Sequence, residues 1–149
     1  MSRPKAIKSE RTPASLAVLL REPVRIGNAL VSRRLIERGH PEVRPPHGNV
    51  FQFLDSAGTR VSVLAERAAV TKQSMAELVA HLERHGYVER IPDPSDGRAK
   101  LVRSTDRGRE VYAIAREVAA ELESEWTARV GRARMRALRE ILTDLNQGL

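Results

Sequence analysis

The sequence contains no cysteine. Disulfide staples, thiolate zinc sites and cysteine-based redox sensing within the chain are therefore excluded. Aromatic residues are only 3% of the composition, so the core must be built from Leu, Val, Ile and Ala. No apolar run approaches the roughly 20 residues that span a bilayer. Met1 to Lys5 are polar and lack the apolar stretch of a signal peptide, so a cytoplasmic protein with no membrane partner is expected. There is no glycine-rich phosphate loop, no nucleophile-elbow serine and no metal-ligand cluster. No catalytic constellation stands out, and the chain reads as a non-enzyme without cofactors.

Positive charge is abundant. The net charge is +7 with a pI near 10.7, a balance that points to a polyanionic partner. Residues 1–44 hold ten Lys/Arg against four Asp/Glu, whereas residues 110–149 hold six against seven. The length of 149 residues suits one domain. We expect residues 1–14 to form a loose basic tail and residues 15–149 a single domain.

Helical composition begins at Ala14 and runs to about Arg38, where Gly39 is placed to end it. Pro23 should kink or split this run. A loop from His40 to Pro46 follows, in which His40 and His47 read as polar loop residues. Asn49 to Asp55 suits a short helix. Ser62 can cap a helix holding Leu64, Ala65 and Ala68, and a tight turn is expected at Ala69-Val70. Thr71 can cap a second helix whose Met75, Leu78, Val79 and Leu82 form one stripe, with Gly86 as its stop. Tyr87–Ile91 and Ala99–Arg103 read as strands around the polar loop Pro92–Arg98. After Thr105 or Asp106, a long helix places Val111, Ile114, Ala115, Val118, Leu122 and Trp126 on one face. Gly131 breaks it, and a last helix carries Leu138, Ile141, Leu142 and Leu145.

Two short helices, a tight turn and a hairpin make a winged helix-turn-helix over residues 59–103. The fold class is mostly α with a small β-hairpin wing and flanking dimerisation helices at 15–38 and 105–147. Three extra apolar stripes exceed what so small a lobe can cover. They could pack on one another within one chain, or interdigitate with a second copy; the homodimer is favoured, because it sets two recognition helices about 34 Å apart, one helical turn of DNA.

The candidate DNA-binding residues lie on the second helix and the wing. Lys72, Gln73, Ser74, Ala76, Glu77, Ala80 and His81 fall on the helix face away from the stripe. Gln73 suits an adenine edge, Ser74 a base or phosphate, and the Ala76 methyl a thymine methyl. On the wing, Arg98 suits a narrow minor groove, with Asp96 orienting its guanidinium, while Lys100 and Arg103 add charge. His81 and His85 have the i, i+4 spacing of a metal pair, but no cysteine is available and His81 falls on the face expected to meet DNA. Against these readings stand a solvated helix and hairpin, a winged module that binds protein without a DNA operator, and a small enzyme with an unrecognised site.

The segment Thr71-Lys72-Gln73-Ser74-Met75 through Leu82-Glu83-Arg84-His85-Gly86-Tyr87-Val88-Glu89-Arg90 resembles the recognition helix and first wing strand of the MarR (multiple antibiotic resistance regulator) family. Asp93-Pro94-Ser95-Asp96-Gly97-Arg98 resembles that family's wing signature, and Thr105-Asp106-Arg107-Gly108 the start of its dimerisation helix. Ser104 departs from the usual leucine, a difference that bears on packing at the base of the wing. The resemblance implies an obligate homodimer on double-stranded DNA at a pseudo-palindromic operator, acting as a repressor in most members. It also implies a small aromatic or phenolic effector between the dimerisation helices and the DNA-binding lobe, where His47 and Phe51 are the candidate ligand-binding residues.

Overall fold

The computed structural model describes residues 14–147, so the expected tail, apart from residue 14, lies outside the described residues. Helix α1 (Leu16–Glu37) starts on Ser15, whose hydroxyl accepts the Val18 amide, and runs through Pro23 without being split. It ends with Gly39 at φ +88°, and the His40 amide reaches back to the Leu35 carbonyl at 2.8 Å. This left-handed closure satisfies carbonyls that the last turn would otherwise leave open. A 3-10 turn (Pro45–His47) leads into α2 (Gly48–Phe53).

Helix α3 (Val61–Arg67) begins at Arg60 with no side-chain cap, and Ser62 is an exposed residue inside it. The expected Ser62 cap is therefore corrected. Thr59 exchanges both backbone hydrogen bonds with Val102 at 2.9 Å, so the chain leaves the hairpin edge and enters the helix directly. The turn after α3 places Ala69 at φ +53°, a left-handed conformation carried by a non-glycine residue. Helix α4 (Lys72–Arg84) is capped by Thr71, whose hydroxyl oxygen accepts the Ser74 amide at 3.1 Å. It closes through Gly86 at φ +74°, with the Tyr87 amide on the Leu82 carbonyl.

Strands β1 (Val88–Asp93) and β2 (Asp96–Ser104) pair antiparallel, in register from Val88↔Ser104 to Pro92↔Lys100. They extend further into the loop than sequence alone suggests, leaving Pro94-Ser95 as a two-residue tip. The cause is Asp93, whose carboxylate accepts both the amide and the hydroxyl of Ser95 at 2.8 and 2.7 Å. Helix α5 (Asp106–Val130) is capped by Thr105, and α6 (Arg132–Asn146) follows after Gly131.

The core lies where α3, α4, the hairpin and the base of α5 meet. Leu64, Met75, Val79, Leu82 and Val102 are wholly excluded from solvent there. Tyr87 and Ile114 belong to the same cluster, which extends through Val50 and Phe51 of α2 to Leu35 of α1. Farther along α5, Val118 and Leu122 are buried, and Leu122 approaches Gly27 of α1. Ion pairs from Arg34 and Arg38 to Glu117 and Glu121, at 2.9 to 3.4 Å, tie the same two helices at the surface.

The remaining apolar faces have no cover within the described chain. Leu16, Leu19 and Val24 of α1 are 56–62% exposed, and Leu138, Ile141 and Leu145 of α6 are 45–57% exposed. That is a contiguous-helix pattern of surface leucines, well beyond scattered single residues.

Candidate nucleic-acid interface and adjoining cleft

Burial of Met75, Val79 and Leu82 turns the other side of α4 outward. Lys72, Gln73, Ser74 and Glu77 are exposed, and Ala76 and Ala80 partly so. The first turn is held in place by its cap: Thr71 donates to the Ser74 hydroxyl at 2.8 Å, so Ser74 serves the helix terminus as well as the surface. The Gln73 amide group donates to Glu77 at a long 3.4 Å. Among the described residues the Lys72 ammonium has no acidic partner within salt-bridge distance.

The wing is stapled to α3. Arg60 donates to the Asp93 carboxylate at 2.6 Å, and Asp93 is almost fully buried. The Ser95 hydroxyl and amide, followed by Arg60, hold the Asp93 carboxyl down to about 2. Asp96 stands in a different role from the one expected. One of its oxygens accepts the Arg98 backbone amide at 3.1 Å, and the other lies 3.6 Å from Arg60. It thus shapes the strand start and leaves the Arg98 guanidinium alone. Arg98 and Lys100 are exposed, and neither is ion-paired among the described residues. Arg103 is committed to Glu89 at 2.6 Å.

His81 sits partly buried at the back of α4, where its Nε2 donates to the Glu42 carbonyl at 2.8 Å. Its ring stacks on His47 at 4.5 Å. His40 and His47 are not loop decoration: they are 4% and 5% exposed. The His47 Nδ1 accepts the Arg44 amide at 2.9 Å, while His40 lies 3.6 Å from Glu110 and finds no hydrogen-bond partner among the described residues. Nearby, the Tyr87 hydroxyl donates to Glu42 at 2.8 Å, and this bond holds the Glu42 carboxyl below its ordinary range. The Arg107 guanidinium stacks over the Tyr87 ring at 4.5 Å.

A cleft of about 400 Å³ opens between α1, the 3-10 turn, α2 and α5. Val31 and Leu35, Phe51, and Val111 and Tyr112 form its apolar walls, with Arg44, Asn28, Ser32 and Gln52 as polar points. Phe51 lines it; His47 does not, because its ring is turned toward α4. Among the described residues no group of three His, Asp or Glu is placed to hold a metal ion, and no helix is long and apolar enough to cross a membrane.

Arg60 and Glu42 carry no sign of a role in the sequence, and Asp93 and Arg107 stand out there only as members of the wing and helix-start segments, without their partners. Asp93-Pro94-Ser95 is a local turn signal that identifies the acceptor, but Arg60 lies 33 residues away and carries no local sign of its partner.

The geometry agrees with known proteins. The MarR family profile matches residues 42–99. The transcriptional regulator HosA of Escherichia coli is 31% identical over 91 residues, covering 60% of this chain and 67% of HosA. The solved reduced form of MarR from Escherichia coli superposes with a TM-score of 0.73 at 20% identity, covering 91% of this chain and 98% of that one. CouR from Rhodococcus jostii, solved bound to p-coumaroyl-CoA, gives a TM-score of 0.71 at 22% identity, covering 92% and 95% of the two chains. With a winged helix-turn-helix in place and a relative of this identity and coverage, the chain belongs to the MarR family of DNA-binding transcription regulators.

Proposed function

We propose that the protein is a repressor that binds a pseudo-palindromic operator as a homodimer and is released by a small aromatic or phenolic ligand. The observation that carries this reading is the pairing of two unobstructed surfaces. The exposed first turns of α4 offer Lys72, Gln73 and Ser74, and the stapled wing offers Arg98 and Lys100 without competing carboxylates. A helix N-terminus of this kind suits base edges and phosphates in a major groove, and a hairpin-tip arginine suits the adjoining minor groove.

Dimerisation is supported by the uncovered leucine faces of α1 and α6. Two copies covering each other there would bury surface that is costly to leave in water and would give the two-fold symmetry that a palindrome requires. The effector reading is supported by the cleft, whose volume falls in the range of small-molecule sites and whose walls are apolar with few polar points. Arg44 supplies a positive charge there. CouR, a solved protein of the same fold, holds p-coumaroyl-CoA.

The deciding experiment selects bound sequences from random double-stranded DNA and then titrates the enriched duplex at several salt concentrations. A pseudo-palindrome bound by two chains, with affinity falling steeply with salt, is the expected result. Failure to enrich any sequence, together with a well-folded monomer in sedimentation, would overturn the reading and favour a protein-binding module. Phenols and aryl carboxylates added to the operator complex then test release.

A further inference from the structure

Three of the four histidines meet between the Pro45–His47 turn and α4. The His47 and His81 rings are 4.5 Å apart and within 14° of parallel; His85, one turn further along α4, lies 4.7 Å from His81. The hydrogen bonds define protonation. His47 Nδ1 accepts the Arg44 amide, so that nitrogen carries no proton and the ring is neutral. His81 Nε2 faces a carbonyl oxygen, which can only accept, so the proton there belongs to His81. The charged and titratable groups around the stack are Arg44 just before the turn, Glu42 in the preceding loop, His85 at the C-terminal cap of α4, Tyr87 beyond it and Arg107 on α5. The Glu42 carboxylate accepts the Tyr87 hydroxyl at 2.8 Å and Arg107 at 3.4 Å on one and the same oxygen, so it is already shared with one cation.

We propose that the His47–His81 stack is an acid-released latch that holds the recognition helix against the turn bordering the cleft. A proton arriving on His47 Nδ1 from solvent displaces the Arg44 amide from its acceptor. It also places an imidazolium face to face with His81 and next to Arg44. The turn is then no longer fastened to α4, and the helix loses one of the contacts that fix its angle. Arg44 lines the cleft as well, so the same turn serves both the effector site and the latch. The inference rests on the DNA-binding reading and adds a regulatory input to it.

Burial, then His81, Arg44 and His85, push His47 down to about 4 from an ordinary 6.5. If opening restores the ordinary value, the ratio of closed to open latch falls about tenfold between about pH 7.5 and about pH 5.5.

The test uses the full chain, the selected operator duplex and a scrambled duplex of equal length, measured by fluorescence anisotropy at constant ionic strength across that pH range. Wild type should lose its preference for the operator over the scramble progressively toward pH 5.5, by more than about twofold and by at most about tenfold. His47→Asn, which keeps an acceptor near the Nδ1 position, and His47→Phe, which keeps a stacked ring, should each change less than about twofold. A pH-independent wild type, or an equal loss in both variants, overturns the latch while leaving DNA binding intact. No discrimination between the duplexes at any pH defeats the DNA-binding reading itself. If neither variant folds, histidine ring NMR of the wild type decides: His47 should titrate well below the ordinary value, and titration at the ordinary value overturns the proposal.

Discussion

Alanine at position 108 sets two physical rules against each other. Gly108 lies in the first turn of α5, where helix propensity alone favours alanine by about 1 kcal/mol. The packing says otherwise. A Cβ built on Gly108 would lie 2.1 Å from the Tyr87 carbonyl oxygen and 2.5 Å from the Ser104 hydroxyl. The hydroxyl can swing away, but the carbonyl is fixed, because it accepts the Thr105 amide at 3.1 Å and the Thr105 hydroxyl at 3.0 Å. Relief therefore requires α5 to withdraw by more than about 1 Å, given ordinary contact near 3.5 Å. That movement breaks the 3.2 Å bond from the Gly108 amide to its Thr105 cap. Overpacking costs about 1–3 kcal/mol and a lost cap about 1, against the propensity gain of about 1. The net loss is about 1–3 kcal/mol, or a melting temperature lower by about 3–10 °C for a chain of this size. Thermal unfolding followed by circular dichroism measures it. Ser104→Ala combined with Gly108→Ala should recover little, since the carbonyl clash remains. An unchanged or raised melting temperature for Gly108→Ala would refute the packing argument.

Truncating Arg98 to alanine should leave the melting temperature unchanged while weakening operator binding by about 1–3 kcal/mol and making the salt dependence shallower by about one counterion; equal binding at all salts would remove the wing from the DNA interface. Ala69→Gly should raise stability by up to about 1 kcal/mol, because glycine occupies the left-handed region without a Cβ penalty, and a fall in melting temperature would contradict this. For Asp93 the folded-state value near 2 lies below the ordinary 3.8, so its stabilising contribution is complete above 3.8 and disappears as pH falls toward 2. Asp93→Asn should accordingly lower the melting temperature at neutral pH by several degrees and flatten the acid limb of the stability curve between those two values, as scanning calorimetry at stepped pH will show.

Local signals carried most of the fold. Thr71, Thr105, Gly39, Gly86 and Gly131 each act within a turn of where they stand, and the helix boundaries they imply match those observed to within a few residues. The stripe of Met75, Val79 and Leu82 told α4's inner face from its outer one by periodicity alone. What escaped was pairing across distance. Ser62 looks like a cap until Thr59 is seen bridged to Val102, and that bridge depends on the hairpin's position in space. Asp96 is near Arg98 in sequence, yet its second oxygen faces Arg60 from another element. His40 and His47 flank prolines and look solvated, but the closure of α1 folds their loop back onto α4 and Tyr87. A polar ring's environment is set by which neighbours arrive, and composition carries no record of that.

The joint at Thr105 has a mechanical meaning. Its hydroxyl is shared between the carbonyls of Gly86 and Tyr87, immediately after α4, and accepts the amide of Gly108 inside α5. Helix α5 has 25 residues, about 37 Å at 1.5 Å each, so it acts as a lever whose short end is pinned to α4. A tilt of about 5° at the joint moves the far end by about 3 Å. Run the other way, a shift of that size where α5 meets α6 corresponds to a rotation of about 5° at the Thr105 joint, with α1 carried along by its ion pairs to Glu117 and Glu121.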